Sequence, residues 1–306
     1  VYDPIATKLE ALSAAAVECN QPLSACTSFR IGGPADYLAS PTSAGQVDSL
    51  VRAARDLSLP VTFIGHGTNL LVRDGGVRGL VIRLGPGLAR IDVAPPRVRA
   101  EAGAKVRDLC EAAAEHALTG LEFAIGIPGT LGGALAMNAG AYGGSIGDLV
   151  REVRAVRTDG ESRVFRPDDC AFGYRTSVFR AEGWIALEAT LELAPGDAAA
   201  IRERHQDYCT RRRATQPLDV PSAGSVFKRP EGHFAGPLIE SAGLKGTRIG
   251  GAQVSEKHAN FIVNTGDATA ADVLALIDLV ADRVFEVHGV RLEPEVIVIG
   301  EDAPGS

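Results

Sequence analysis

Aromatic residues are scarce in this 306-residue chain, at 5%, with one tryptophan and one methionine. A core must therefore be built from Ala, Val, Leu and Ile, and at 45% hydrophobic and 23% charged residues the composition is ordinary for a globular protein. Positive charge is in deficit, with a net charge of −7. That argues against general nucleic-acid binding, which needs a basic surface to displace counterions. A local arginine cluster can still hold a small anion. The only lysines are Lys8, Lys105, Lys228, Lys245 and Lys257. Cysteine is limited to Cys19, Cys26, Cys110, Cys170 and Cys209, an odd set with no CxxC pair and no zinc spacing. Buried thiols in a reducing cytosol, and so a cytoplasmic location, are the expectation. No apolar run approaches the ~18 residues that cross a bilayer. The first residues lack the basic-then-apolar pattern of a signal peptide, so no membrane insertion is expected. His66, His205, His233, His258 and His288 fit no metal spacing, and no metal is expected.

Glycine is abundant, and it is concentrated. Residues 126–147 read Gly-Ile-Pro-Gly-Thr-Leu-Gly-Gly-Ala-Leu-Ala-Met-Asn-Ala-Gly-Ala-Tyr-Gly-Gly-Ser-Ile-Gly, with eight glycines. Such a run allows positive φ and close backbone approach, and bare N–H groups at turns attract phosphate. Ile125, Ile127, Leu131, Leu135 and Met137 make it too apolar for a solvated loop. A second glycine pair, in Gly65-His-Gly-Thr-Asn-Leu-Leu-Val72, follows a strand. The third glycine of a dinucleotide fingerprint is missing, because position 70 is Leu, and no helix start follows. A Rossmann site is therefore disfavoured.

The length implies about two domains. Apolar periodicity predicts helices over 5–19, 43–57, 104–118, 198–213, 236–243 and 269–288, the last capped by Thr269 with Asp272. Strands are predicted over 37–39, 59–64, 80–84, 91–93, 98–102, 150–157, 162–165, 184–193, 260–264 and 295–299. Residues 216–225 are rich in loop formers and read as a loop.

Three later stretches carry polar residues that local structure does not require. Arg175, in Phe172-Gly-Tyr-Arg-Thr-Ser-Val-Phe179, is either a bidentate ligand for an anion or half of a structural ion pair. Ser225, in Pro221-Ser-Ala-Gly-Ser-Val-Phe-Lys-Arg-Pro230, lies outside any nucleophile-elbow pattern, and the alternative reading is a turn whose backbone groups it satisfies. Glu295, in Arg291-Leu-Glu-Pro-Glu295, opens a strand and faces either interior or solvent.

In order along the chain, Thr27-Ser-Phe-Arg-Ile-Gly-Gly-Pro-Ala-Asp36, Gly65-His-Gly-Thr-Asn-Leu-Leu-Val72, Ile127-Pro-Gly-Thr-Leu-Gly-Gly-Ala134, Asn138-Ala-Gly-Ala-Tyr-Gly143, Phe172–Phe179, Ala223-Gly-Ser-Val-Phe-Lys-Arg-Pro230 and Glu293-Pro-Glu-Val296 resemble the UDP-N-acetylenolpyruvoylglucosamine reductases, also called UDP-N-acetylmuramate dehydrogenases. The resemblance runs from about residue 25 to 300. It implies an α+β protein. A vanillyl-alcohol-oxidase-type FAD-binding region of two α/β subdomains, about 1–80 and 81–198, would precede an α+β substrate-binding domain over 199–306. The last strand would pack back on the first region.

By the same resemblance FAD is held non-covalently. Its site would comprise Gly65, His66, Gly67, Thr68, Asn69 and Leu70, then Ile127, Pro128, Gly129, Thr130, Gly132, Gly133, Ala134, Asn138, Gly140, Ala141, Tyr142 and Gly143, with Ile185 near the adenine. The catalytic positions fall on Arg175, Ser225 and Glu295. Tyr174, Arg213, Lys228, Arg229 and His258 fall near substrate-contacting positions. Only Arg180-Ala-Glu-Gly183 separates Phe179 from Trp184, so the chain resembles the subtype without a tyrosine-bearing loop. The implied partners are NADPH and UDP-N-acetylglucosamine enolpyruvate, and the implied role is reduction of the enolpyruvyl ether in peptidoglycan precursor synthesis. Arg175 would balance the developing negative charge. Glu295, kept protonated by burial, would donate to the substrate carboxylate. Ser225 would deliver the proton, with Lys228 near enough to support the alkoxide. An FAD-dependent sugar or lactone oxidase, or a non-catalytic nucleotide-sugar-binding protein, are the alternatives. Oxygen-dependent turnover without NADPH would mark the first, and colourless protein the second.

Overall fold

Strict alternation over residues 184–193 makes the central strand of an antiparallel sheet. In a computed structural model that describes residues 3–303, Ile185–Glu192 lies between Val150–Val156 and Arg97–Glu101, with Ser162–Phe165 and Ile91–Ala94 at the edges. Leu191 stands opposite Val98 and Ala189 opposite Ala100, and all four are buried. Helix Val106–Glu115 adds Val106, Leu109, Cys110 and Ala113 to the same core. Burial pushes the Cys110 thiol up, and the Cys170 thiol up to about 12, so both are inert hydrophobes here.

The chain forms two compact units, and neither is a continuous stretch. The first takes in residues up to Cys19, Tyr37–His66 and Gly79–Arg212. The second takes in Asn20–Asp36, Gly67–Arg78 and residues from Arg213 on. In the first, Val61–Ile64 also runs parallel to Val77–Arg83, with Ile64 opposite Arg83. Helix Ala44–Asp56 buries Val47, Leu50, Val51 and Ala54, and its N-cap Ser43 accepts from the Gln46 N–H.

In the second unit, strands Ser222–Ser225, Phe261–Asn264, Ala252–Val254 and Arg248–Ile249 form an antiparallel sheet in that order. Helix Ala270–His288 buries Val273, Leu276, Ile277, Val280 and Val284, and Thr269 and Asp272 form the expected capping box. The Asp74 carboxylate accepts from the N–H groups of Ala270 and Ala271, at 2.8 and 3.0 Å. Strand Leu70–Val72 pairs in parallel with Ile297–Ile299.

Several predicted boundaries move. The first helix is Pro4–Ser13, not 5–19. The Ser13 hydroxyl turns back to the Leu9 carbonyl and accepts from the Ala15 N–H, Ala14 takes a left-handed φ of 54°, and Val17–Pro22 is a strand. Ser222–Ser225 is a strand rather than a loop, because a bulge at Gly224, φ +77°, lets both its ends pair with Phe261–Asn264. The glycine-rich run contains a short helix, Leu131–Ala136. The last strand begins at Ile297, two residues after Glu295.

Glu122 is the charged residue among the described residues that are buried, at 6% exposure. It accepts from the Thr119 hydroxyl (2.6 Å), the Gly120 N–H (2.6 Å) and the Arg204 guanidinium (2.7 Å). Burial pushes its pKa up, but these hydrogen bonds outweigh burial and hold it below the ordinary carboxylate value. A depressed folded pKa contributes stability that is present above the unfolded pKa of about 4.3 and lost as pH falls through the folded value. Glu122→Gln should therefore lower stability by roughly 1.5–3 kcal/mol at pH 7. In melting curves taken across the acid range, its deficit against wild type should shrink below pH ~4. A deficit that does not change with pH would contradict this account.

Candidate active site

Arg175 sits at the tip of a tight turn in the first unit. Gly173 and Thr176 exchange backbone hydrogen bonds at 3.0 and 3.4 Å across it. Arg175 itself takes φ +56°, a region costly for a residue with a side chain. The turn is held from both sides. The Asn138 amide donates to the Gly173 carbonyl (3.1 Å) and accepts from the Gly147 N–H (2.9 Å), while the Ser177 hydroxyl donates to the Ala136 carbonyl (2.9 Å). Arg180 donates to the Arg175 carbonyl at 3.0 Å. The Arg175 guanidinium lies 5.2 Å from the Tyr174 ring centroid, and Tyr174 is 60% exposed. The glycine-rich run thus builds the platform for this arginine.

In the same unit, a Cβ on Gly65 would stand 2.7 Å from the Thr130 hydroxyl, so any larger residue would have to displace it. Thr130 is buried, and its backbone bridges Lys105. His66 is half-buried. Burial first, then Arg83 and Lys105, push its imidazole pKa below the ordinary value. Gly140–Ala141 pairs back on Gly144–Ser145, and at the tip between them Tyr142 stacks on Tyr208 with centroids 4.0 Å apart. Ile185 pairs with Val156 across the large sheet. Gly126 packs directly on the Arg212 side chain, whose Nε is buried with no hydrogen-bond partner.

In the second unit, Gly67 takes φ +64° with the Cys26 carbonyl against the position of a Cβ. The Asn69 amide donates to the Glu295 carbonyl (3.3 Å), and the Asn69 carbonyl accepts from the Ile297 N–H (2.9 Å). The Glu295 N–H donates to the Val226 carbonyl at 2.7 Å, and Phe227 bridges Pro294. Ser225 and Glu295 are therefore brought onto adjacent backbone segments, both half-buried. Lys228 is tied to Glu293 twice, from its N–H to the carbonyl (2.8 Å) and from its ammonium to the carboxylate (3.0 Å). A nearby carboxylate, not Ser225, is thus the recorded partner of that ammonium.

The remaining expected residues are more dispersed. Arg229 is exposed, donates from Nε to the His233 carbonyl (3.3 Å) and lies 3.9 Å from the Phe234 ring centroid. Arg213 is exposed, and its carbonyl accepts from the Lys257 ammonium at 2.6 Å. His258 accepts at Nδ1 from the Asn260 N–H (3.3 Å), and burial, then its backbone hydrogen bond in the opposite sense, leave its pKa lowered.

Two residues escape the sequence reading. Asn260 is buried, and its side chain holds Phe227 by both backbone groups, accepting from the N–H at 3.0 Å and donating to the carbonyl at 2.9 Å. Its own carbonyl accepts from the Val226 N–H at 2.9 Å. Arg212 is the other, half-buried beside the glycine-rich run while its neighbour Arg213 is exposed. Neither signal is local in sequence: one is a contact across 33 residues, the other a helix face.

A dinucleotide cofactor needs bare backbone and positive charge around its diphosphate. Gly65 has no space for a Cβ, and buried Nε atoms of Arg83 and Arg212 lack protein partners. The residues present fit such a group. Residues 35–166 match the FAD binding domain family, and residues 216–299 match the C-terminal domain of UDP-N-acetylenolpyruvoylglucosamine reductase. Fold and site together define an FAD-dependent oxidoreductase of α+β architecture. The chain is 51% identical over 293 residues to the UDP-N-acetylenolpyruvoylglucosamine reductase of Latilactobacillus sakei, covering 96% of each chain. It is 46% identical over 286 residues to that of Syntrophomonas wolfei, covering 94% of this chain and 96% of the relative. The crystal structure of UDP-N-acetylenolpyruvylglucosamine reductase from Thermus caldophilus superposes with a TM-score of 0.81 at 36% identity, over 94% of this chain and 100% of that one. The chain belongs to the UDP-N-acetylenolpyruvoylglucosamine reductase family.

Removing the Asn260 side chain would leave the Phe227 N–H and carbonyl buried and unpaired. Asn260→Ala should cost about 2–4 kcal/mol in urea denaturation, since each orphaned group carries roughly 1–3 kcal/mol. A cost below about 0.5 kcal/mol, the range of an ordinary surface change, would mean that the clamp does not hold the Ser225 segment.

Proposed function

We propose that this chain reduces the enolpyruvyl ether of UDP-N-acetylglucosamine enolpyruvate to the lactyl ether of UDP-N-acetylmuramate, in peptidoglycan precursor synthesis in the cytoplasm. NADPH is the electron donor. The observation that carries the reading is the 2.7 Å hydrogen bond from the Glu295 N–H to the Val226 carbonyl, which sets the Glu295 backbone beside the segment bearing Ser225. Gly65–Leu70, residues 127–143 and Ile185 are read as the FAD site. Bound FAD supplies a hydride, taken from NADPH, to the terminal vinyl carbon of the substrate. Functionally, the first 198 residues are read as the FAD region and the remainder as the substrate domain.

Each residue has a role set by its chemistry. Hydride addition leaves negative charge on the adjacent carbon and on the substrate carboxylate. Arg175, fixed in its turn, balances that charge without reorganising. Glu295 hydrogen-bonds the carboxylate. Ser225 gives its hydroxyl proton to the carbon, a transfer made favourable by the basicity of the carbanion. Lys228 bears on this step with its charge shared by Glu293. Tyr174, Arg213, Arg229 and His258 are read as substrate contacts, and Arg212 joins them on the strength of its unpartnered Nε.

Ser225→Ala should leave NADPH-driven flavin reduction nearly intact. It should slow reoxidation by the enolpyruvyl substrate by about 10²–10⁴-fold in stopped-flow measurements. Equal losses in both half-reactions would make Ser225 structural. Glu295→Gln should likewise impair the second half-reaction while the protein retains its FAD, and a flavin-free variant would contradict its role.

A further inference from the structure

Around Gly65 three segments of the first unit converge. Ile64 pairs with Arg83, and the Leu84 N–H donates to the Ile64 carbonyl at 2.8 Å. Gly103 packs against the Gly85 carbonyl, and Lys105 bridges Thr130, the residue that faces Gly65. The side chains that this convergence gathers are basic: Arg83, Lys105 and His66. Other arginines of the chain are paired, as Arg99 is with Glu188 and Arg204 with Glu122. Among the described residues, no ion pair involves Arg83 or Lys105, and the Arg83 Nε is buried with no partner. The His66 ring senses both cations and no carboxylate.

Gathering positive charge without a counter-charge is unfavourable, and more so where water is excluded. A protein of net charge −7 has carboxylates to spare, so their absence from this corner needs a reason. We propose that Arg83 and Lys105 are binding residues for the diphosphate of FAD, adding side-chain charge to the backbone cradle at Gly65 and Thr130. The inference rests on the reading of Gly65–Leu70 and 127–143 as the FAD site. The phosphates of NADPH share the same chemistry and are the competing source of negative charge.

Apoprotein freed of flavin is titrated with FAD, following quenching of flavin fluorescence, at low and high salt. Arg83→Gln and Lys105→Gln should each weaken FAD binding by about tenfold at low salt, the equivalent of 1.4 kcal/mol. The double variant should lose most of the salt dependence that wild type displays. Lys105 is exposed, so its variant tests the proposal even if Arg83→Gln fails to fold. FAD affinities and salt slopes within twofold of wild type would overturn it. So would an unchanged FAD affinity with a raised KM for NADPH, which would assign the cluster to the nicotinamide cofactor. A wild-type apoprotein that takes up no FAD would contradict the functional reading itself.

Discussion

Backbone lying where a side chain would otherwise be is the constraint on which this protein turns. At Gly65 a single added carbon would press on the Thr130 hydroxyl at 2.7 Å, and at Gly67 it would meet the Cys26 carbonyl. The residues on either side of those glycines then have their directions set by packing. Bare N–H groups and a loop that cannot swell are what a dinucleotide diphosphate requires. The same economy of side chains explains the glycine-rich run after residue 126. There it frees the backbone to support the Arg175 turn through Asn138 and Ser177.

The second unit solves a different problem. Ser225 ends a short bulged strand and Glu295 lies just before the last one, and precision comes from side chains that bind backbone. Asn260 holds Phe227 from both sides, the Glu295 N–H reaches Val226, and Lys228 is locked to Glu293. A hydroxyl proposed to protonate carbon would need its position fixed to a fraction of an ångström. The bulge at Gly224 and the Asn260 clamp provide this without lengthening the sheet.

Much of this was legible in the residue order. Alternation over 184–193 and the capped helix at 269–288 are local signals, and both elements form as read. The ordered motifs led to the family, because turn-forming glycines and their polar neighbours are short-range requirements. What stayed hidden depends on distant partners. Ser222–Ser225 becomes a strand only because Phe261–Asn264 lies beside it, and Ser13 ends its helix by a side-chain bond that Ala-rich periodicity does not announce. Asn260 looks like the first residue of a strand until Phe227 is next to it. The two units also exchange segments of chain, so no compositional boundary marks them.

The central claim is that this site moves a hydride from NADPH to an enolpyruvyl carbon. Its most direct test is an anaerobic two-step titration of the wild-type protein. The bound flavin is bleached with one equivalent of NADPH, and UDP-N-acetylglucosamine enolpyruvate is then added. Return of the oxidised flavin absorbance in stoichiometric proportion to UDP-N-acetylmuramate formed is the predicted result. A flavin that stays reduced until oxygen is admitted would contradict it.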